Sequence, residues 1–237
     1  LKKEAMGDVC ESPGEPANAS HCAIAIDGPA ASGKSSVARR VARRLGFVFV
    51  NSGAMYRAFT WLVLESGIEP ANRDAVLQLL GDASFECGER DGEATVEVNG
   101  TDPGSGLSAE KVNRSVSTIA AYPEVRERLV AAQRAHRDRA DVVMEGRDIG
   151  TVVFPDTDWK FYIDASEEVR QQRRRAEGIE DSISERDRQD STRKASPLTV
   201  ADDAFVIDSS ELTLEETVDR VILRLREKGL EQAAEIG

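Results

Sequence analysis

The sequence is poor in the residues that much enzyme chemistry draws on. It has two histidines, His21 and His136, and three cysteines, Cys10, Cys22 and Cys87, in 237 residues. Two histidines so far apart argue against histidine–carboxylate metal clusters and against a Ser–His–Asp arrangement. An odd, unclustered set of cysteines fits neither a disulfide framework nor a zinc site, and it suits a reducing, cytoplasmic compartment. No apolar run approaches the ~20 residues of a membrane helix, so no membrane partner is expected. Positive charge is in the minority: 31 Lys and Arg against 43 Asp and Glu give a formal net charge of −12. That balance argues against nucleic acid as a partner, and it makes "RRVARR" (39–44) a solvated helix face rather than a nucleic-acid patch. An acidic chain that binds an anion must therefore gather its arginines locally. Residues 1–21 are polar and lack the apolar centre of a signal peptide, so they read as a disordered tail.

What is present is alternation. "CAIAID" (22–27), "FVFV" (47–50), "DVVME" (141–145), "WKFYID" (159–164) and "AFVID" (204–208) read as short buried strands. Helical patterns fall at 34–46, about 53–66 and 214–228. Strands alternating with helices predict an α/β protein in which helices cover both faces of a parallel sheet, a three-layer fold. The middle of the chain departs from this rhythm. After a helical pattern at 72–80, two strand-like runs flank "GERDG" within 83–100 and predict a small antiparallel insertion. Helices follow at 109–121 and 123–139, the second opening on Pro123. The expected layout is a core of 22–66, 126–165 and 196–237, interrupted by an inserted lobe at 67–125 and a further segment at 166–195.

The strongest local signal is "IDGPAASGKSS". It supplies Gly28-x-x-x-x-Gly33-Lys34-Ser35 between a strand and a helix, the context a phosphate-binding loop needs. In such a loop the backbone of Gly28, Pro29, Ala30, Ala31, Ser32 and Gly33 curls around phosphate, and the helix N-terminus opening at Lys34, Ser35 and Ser36 adds partial positive charge. Lys34 reaches the β- and γ-oxygens, and the Ser35 hydroxyl is a Mg²⁺ ligand. ATP with Mg²⁺ is the expected cofactor pair. Glu145, at the end of a buried strand, is either the acid that holds a Mg²⁺-bound water or a plain strand-end carboxylate.

The remaining arginines suggest a second phosphate. Arg57 and Arg147, with Asp148, follow strand ends, where ligands bind in open α/β sheets. "SERDRQDSTR" (184–193) spaces Arg186, Asp190 and Arg193 at i, i+4 and i+7, one face of a helix, as either a solvated charge run or a clamp. Arginine forks suit phosphate oxygens. Converging on a loop that holds a triphosphate, they describe a phosphotransferase whose acceptor is itself a phosphate, already an anionic nucleophile that needs no histidine base. Catalysis then consists of positioning and charge neutralisation.

Five motifs in order, "IDGPAASGKSS", "NSGAMYRA", "SVSTIAAYPEVRERL", "EGRDIGTVVFPD" and "ERDRQDSTRKASPL", make the chain resemble the bacterial cytidylate kinases of the P-loop nucleoside monophosphate kinase group. The resemblance runs from about Ala23 to the C-terminus. It implies phosphorylation of CMP and dCMP by ATP, with Lys34, Arg147 and Arg193 catalytic. It places Ser52 and Arg57 near the acceptor phosphate, Ser117, Arg126 and Asp148 around the cytosine, Arg147 and Arg193 on phosphate, and Arg186 and Asp190 near the ribose. Arg173 and Arg174 would lie near the ATP adenine or phosphates. The lobe at 67–125 would bind CMP, 166–195 would be a mobile lid, and the enzyme is expected as a monomer.

An acceptor-only carboxylate at Asp148 suits the N4 amino group of cytosine and opposes the O4 of uracil. The chain departs from the family's pattern at Asn51, where an Asp is usual, at Ser108, where an Arg is usual, and in a short segment between Arg174 and Glu185. The rival readings are a UMP/CMP, adenylate or shikimate kinase, and a nucleotide-binding regulator without catalysis. Met55, Tyr56 and Trp61 read as core residues with no chemistry.

Overall fold

The computed structural model describes residues 21–176 and 198–230. In chain order its elements are β1 (Ala23–Asp27), α1 (Lys34–Leu45), β2 (Val48–Asn51), α2 (Ser52–Glu65), α3 (Arg73–Asp82), β3 (Phe85–Arg90), β4 (Glu93–Val98), α4 (Glu110–Ala120), α5 (Pro123–Arg134), β5 (Val142–Gly146), β6 (Lys160–Asp164), α6 (Glu167–Ala176), β7 (Phe205–Asp208) and α7 (Leu214–Glu227). The strands form one sheet in the order β3-β4-β2-β5-β1-β6-β7. All pairings are parallel except β3 with β4.

Period-two alternation along β1 explains the layers. Ile24 and Ile26 face one side, where Val37, Val41 and Leu45 of α1 meet Val218, Val221 and Leu225 of α7. Those helical residues recur at three- and four-residue steps, so each helix turns one apolar stripe to the sheet. Ala23 and Ala25 face the other side, against Val130 of α5, Ile149 and Phe154. A third cluster, with Phe59, Val76, Ile119 and Leu129, ties α2 to α3, α4 and α5. Burying each such Val, Leu, Ile or Phe contributes roughly 1.5–3 kcal/mol.

The antiparallel hairpin expected near 83–100 is present, paired from Phe85↔Val98 to Arg90↔Glu93. It is no separate sheet. Phe49 N–H donates to the Gly92 carbonyl at 2.9 Å, and the pair Phe49↔Glu93 joins the hairpin to the edge of β2. Helix α5 ends at Arg134, five residues before the expected 139. Arg137 and Arg139 donate their N–H groups to the carbonyls of Arg134 and His136, closing tight turns where the sequence offers no Gly or Pro to mark a stop. The arginines of "RRVARR" are answered by carboxylates: Arg39 by Glu93 at 2.7 Å, Arg40 by Glu215 at 2.9 Å, and Arg44 by Glu215 and Asp219 at 2.7 and 2.5 Å. Among the described residues no helix is long and apolar enough to cross a membrane.

Candidate active site

Strand register gathers the site. Ile26 lies beside Glu145 and Asp27 beside Gly146, while Asn51 pairs with Glu145 from the other side. The C-terminal ends of β1, β2 and β5 are therefore level. The loops that leave them share one crevice, at the point where chain connections diverge to either side of the sheet.

From β1 the chain runs through Gly28–Gly33 into α1. A Cβ on Gly28 would stand 2.1 Å from the Ile163 carbonyl oxygen of β6, so only glycine lets the loop pass that strand. Ala31 and Gly33 have φ of 58° and 89°, the left-handed backbone that bends the loop over the helix N-terminus. Lys34 is buried; its Nζ donates to the Pro29 carbonyl at 3.0 Å and lies 3.9 Å from Glu145 Oε2. Ser35 Oγ donates to Glu145 Oε1 at 2.9 Å. A hydroxyl and a carboxylate side by side at a phosphate loop are hard oxygen donors, the kind that suits Mg²⁺ held jointly with phosphates.

Helix α2 starts at the end of β2. Asn51 Oδ1 accepts the Ala54 N–H at 3.1 Å and caps the helix, a role that needs an oxygen and no charge. Ser52 Oγ donates to the Glu145 carbonyl at 2.7 Å, fixing α2 against β5. A Cβ on Gly53 would meet Arg57 Nη1 at 2.8 Å, so the bare glycine leaves room for that guanidinium. Ser108, where an arginine was expected, ends a short helical turn, and its carbonyl accepts from Asn113 Nδ2 at 3.0 Å.

After β5 come Arg147 and Asp148 and then a wide turn, Ile149–Val153, with N–H to C=O bonds five residues apart from Val153 to Asp148 and from Phe154 to Ile149. Asp148 and Arg126 of α5 are both buried and form an ion pair through Arg126 Nη2 and Asp148 Oδ2. Arg126 Nη1 also donates to the Ala120 carbonyl, and its guanidinium lies 5.4 Å from the centre of the Tyr56 ring. Its Nε is buried without a hydrogen-bond partner.

One cleft of about 260 Å³ is lined by most of the residues that the sequence singled out. Ala30, Ala31, Gly33, Lys34, Ser35 and Ser36 form its phosphate-loop side. Ser52, Arg57, Ser117, Arg126, Arg147 and Asp148 form the facing side, with Glu145 between and Arg174 at the rim. Tyr56 lines the cleft too. It is core-facing by sequence, and only its stacking under Arg126 marks it.

Arg173 sits differently. Its Nη1 donates to the Ser32 carbonyl at 2.9 Å and its Nη2 to the Ser209 carbonyl at 2.9 Å. Arg170, one turn earlier, donates to the Ala30 carbonyl at 3.3 Å. Helix α6 thus holds the phosphate loop by its outward carbonyls. Asp27, which sequence reasoning passed over, is buried and accepts the N–H groups of Ile149 and Gly150 at 2.8 Å each. Burial pushes its carboxyl up to about 7. Arg186, Asp190 and Arg193, most of the segment expected as a lid, and residues 1–20 lie outside the described residues.

Comparison with known proteins identifies relatives along most of the chain. The family model for cytidylate kinase matches residues 24–227. The cytidylate kinase of Geobacillus thermodenitrificans is 43% identical over 216 residues, covering 86% of this chain and 96% of that protein. That of Streptomyces avermitilis is 39% identical over 214 residues, covering 86% and 93%. The bifunctional pantoate ligase/cytidylate kinase of a Synechococcus species is 40% identical over 217 residues, which span 86% of this chain and 42% of that longer protein.

Proposed function

The chain belongs to the cytidylate kinase family, and from that premise we infer that it transfers the γ-phosphoryl group of ATP directly to CMP and dCMP, giving ADP with CDP or dCDP. The observation that carries this reading is the single cleft that holds both Lys34 of the phosphate loop and the Arg126–Asp148 pair. One end suits a triphosphate and the other suits a base whose edge has both donors and acceptors. Cytosine offers its N4 amino group to Asp148, whose second oxygen is not used by Arg126, and its N3 and O2 to a guanidinium donor. Arg126, which lines the cleft, supplies that guanidinium in this reading.

Ser52, Arg57 and Arg147 hold the acceptor phosphate in this reading, while Lys34 and Arg147 neutralise the oxygens of the group in transit. The acceptor phosphate is already ionised, so no general base is required. Ser35 and Glu145 are the residues that would hold Mg²⁺, which supplies charge neutralisation on the β- and γ-phosphates when bound. Arg186 and Asp190 are assigned to the sugar and Arg193 to phosphate, on a lid at 166–195 that closes over the cleft, and 67–125 to the lobe that holds CMP. Arg173 and Arg174 remain assigned to the donor side, Arg173 through the phosphate loop it bonds. A cytoplasmic monomer is the accompanying proposal; the unbridged Cys22 and Cys87 suit that compartment.

An ADP-release assay with ATP, Mg²⁺ and each of CMP, dCMP, UMP, AMP and shikimate tests the reading. CMP and dCMP should drive turnover far above the others. Release that is unchanged when CMP or dCMP is added to folded protein would overturn it and favour the regulator.

A further inference from the structure

Asp27 ends β1, one residue before Gly28, and is 5% exposed. It does not line the cleft. Its two oxygens are spent on the backbone N–H groups of Ile149 and Gly150, at 2.8 Å each. Those residues open the wide turn and directly follow Arg147 and Asp148. The far end of the same turn is held by Arg134, whose Nε and Nη2 donate to the carbonyls of Val153 and Val152 at 2.9 and 2.7 Å. Arg134 lies eight residues along α5 from Arg126, the partner of Asp148. The turn is thus pinned at its N–H end to the strand that carries the phosphate loop and at its C=O end to the helix that carries Arg126. Asp148 stands at the junction.

We propose that Asp27 is a positioning residue that sets base selectivity, fixing through Ile149 and Gly150 where Asp148 stands against Arg126. The proposal rests on the assignment of Arg126 and Asp148 to the base. An ionised carboxylate, the form Asp27 takes above about pH 7, accepts from two N–H groups at once, one on each oxygen. An Asn at this position accepts with its oxygen and presents its own NH₂ to the second N–H, donor against donor. A buried mismatch of that kind displaces the turn, and a displacement well under the length of a hydrogen bond is enough to spoil recognition at Asp148. Asp148 and Lys34 are charged groups that act on Asp27, and the Lys160 stem lies on the same side of Gly150 as Asp27 Oδ2. A general loosening through Lys34 would reach the ATP side as well, which separates the two roles.

The test compares wild type with Asp27→Asn and Arg134→Gln in steady-state kinetics, varying CMP and UMP at saturating ATP and ATP at saturating CMP. Wild type is read first: if it does not prefer CMP over UMP, the base assignment fails, and the proposal with it. Given that preference, Asp27→Asn should raise KM for CMP about tenfold and lower the CMP/UMP ratio of kcat/KM about fivefold or more, with KM for ATP within about twofold. Arg134→Gln should move the same two quantities in the same direction by a smaller factor. An unchanged CMP/UMP ratio in Asp27→Asn overturns the proposal. So do equal losses toward CMP and ATP, which describe a merely structural carboxylate. If Asp27→Asn does not fold, Arg134→Gln decides, and wild-type selectivity in that variant overturns it.

Discussion

Lys34 and Asp148 illustrate two ways a single residue is fixed. Lys34 is held by chemistry local to the loop: its ammonium rests on the Pro29 carbonyl, five residues back, with Glu145 nearby. Lys34→Met should leave the fold unchanged, as a long apolar chain fits the same channel, and should lower kcat by about 10²–10³-fold through lost stabilisation of the migrating charge. Single-turnover rates at saturating ATP and CMP check this. Asp148 is held by a residue 22 positions away, and the pairing changes what its replacement does. Asp148→Asn should lower the CMP/UMP ratio about tenfold, because an amide can satisfy either base. It also leaves the buried Arg126 without its counterion, so the melting temperature should fall as well. Kinetics with both acceptors and a thermal melt read the two effects apart. The same contrast explains what the sequence disclosed. Gly28, Gly33, Lys34 and Ser35 are legible because phosphate recognition writes itself into one short spacing. Asp27 and Tyr56 are not, because an acid or an aromatic at a strand or helix position means nothing until Ile149, Gly150 and Arg126 are brought to it.

Among the elements, α6 and the wide turn matter more than their short lengths suggest. Strands and most helices were readable from periodicity, within a few residues at their ends. The wide turn was not, since bonds five residues apart have no sequence period of their own, and the hairpin's attachment to β2 depends on a backbone contact that side chains do not announce. Helix α6 could not be recognised from the sequence as a support. By donating to the Ala30 and Ser32 carbonyls, Arg170 and Arg173 tie the phosphate loop to α6. Arg173→Ala should therefore lower the stability of the nucleotide-free protein by ~1–3 kcal/mol, since three hydrogen bonds from a charged group are lost, to the Ser32 carbonyl and to the Ser209 carbonyl and Oγ. It should also raise KM for ATP severalfold. A residue that touched ATP alone would change KM and leave the nucleotide-free melt unmoved. Melting curves without ligand, paired with ATP titrations, distinguish these outcomes.

Two properties belong to the molecule as a whole. The first is its response to pH. The Asp27 carboxyl is raised from 3.8 to about 7, chiefly by burial. Between those values the folded protein keeps a proton that the unfolded chain has lost, so this group lowers stability as pH rises through the window and leaves it level above. His136 acts in the opposite sense: burial lowers its pKa, so falling pH favours the unfolded chain. Asp27→Asn removes the first effect and keeps the second. Its melting temperature relative to wild type should therefore shift in the variant's favour from about pH 5.5 to about pH 8, and a constant difference would contradict this. The second property follows from how the hairpin joins the sheet. β4 meets β2 at one ladder pair, while β2 pairs with β5 along its whole length. Adjacent amides on β2 consequently report on different events: Val48 N–H is bonded to the carbonyl of Asp141, the residue that leads into β5, and Phe49 N–H to Gly92 of the hairpin. In hydrogen–deuterium exchange, Phe49 should lose its protection through peeling of the hairpin, with Val48 protected up to the opening of the central sheet. Exchange at Phe49 thus reads the hold of the hairpin on the sheet edge, and exchange at Val48 reads the hold of β2 on its other neighbour.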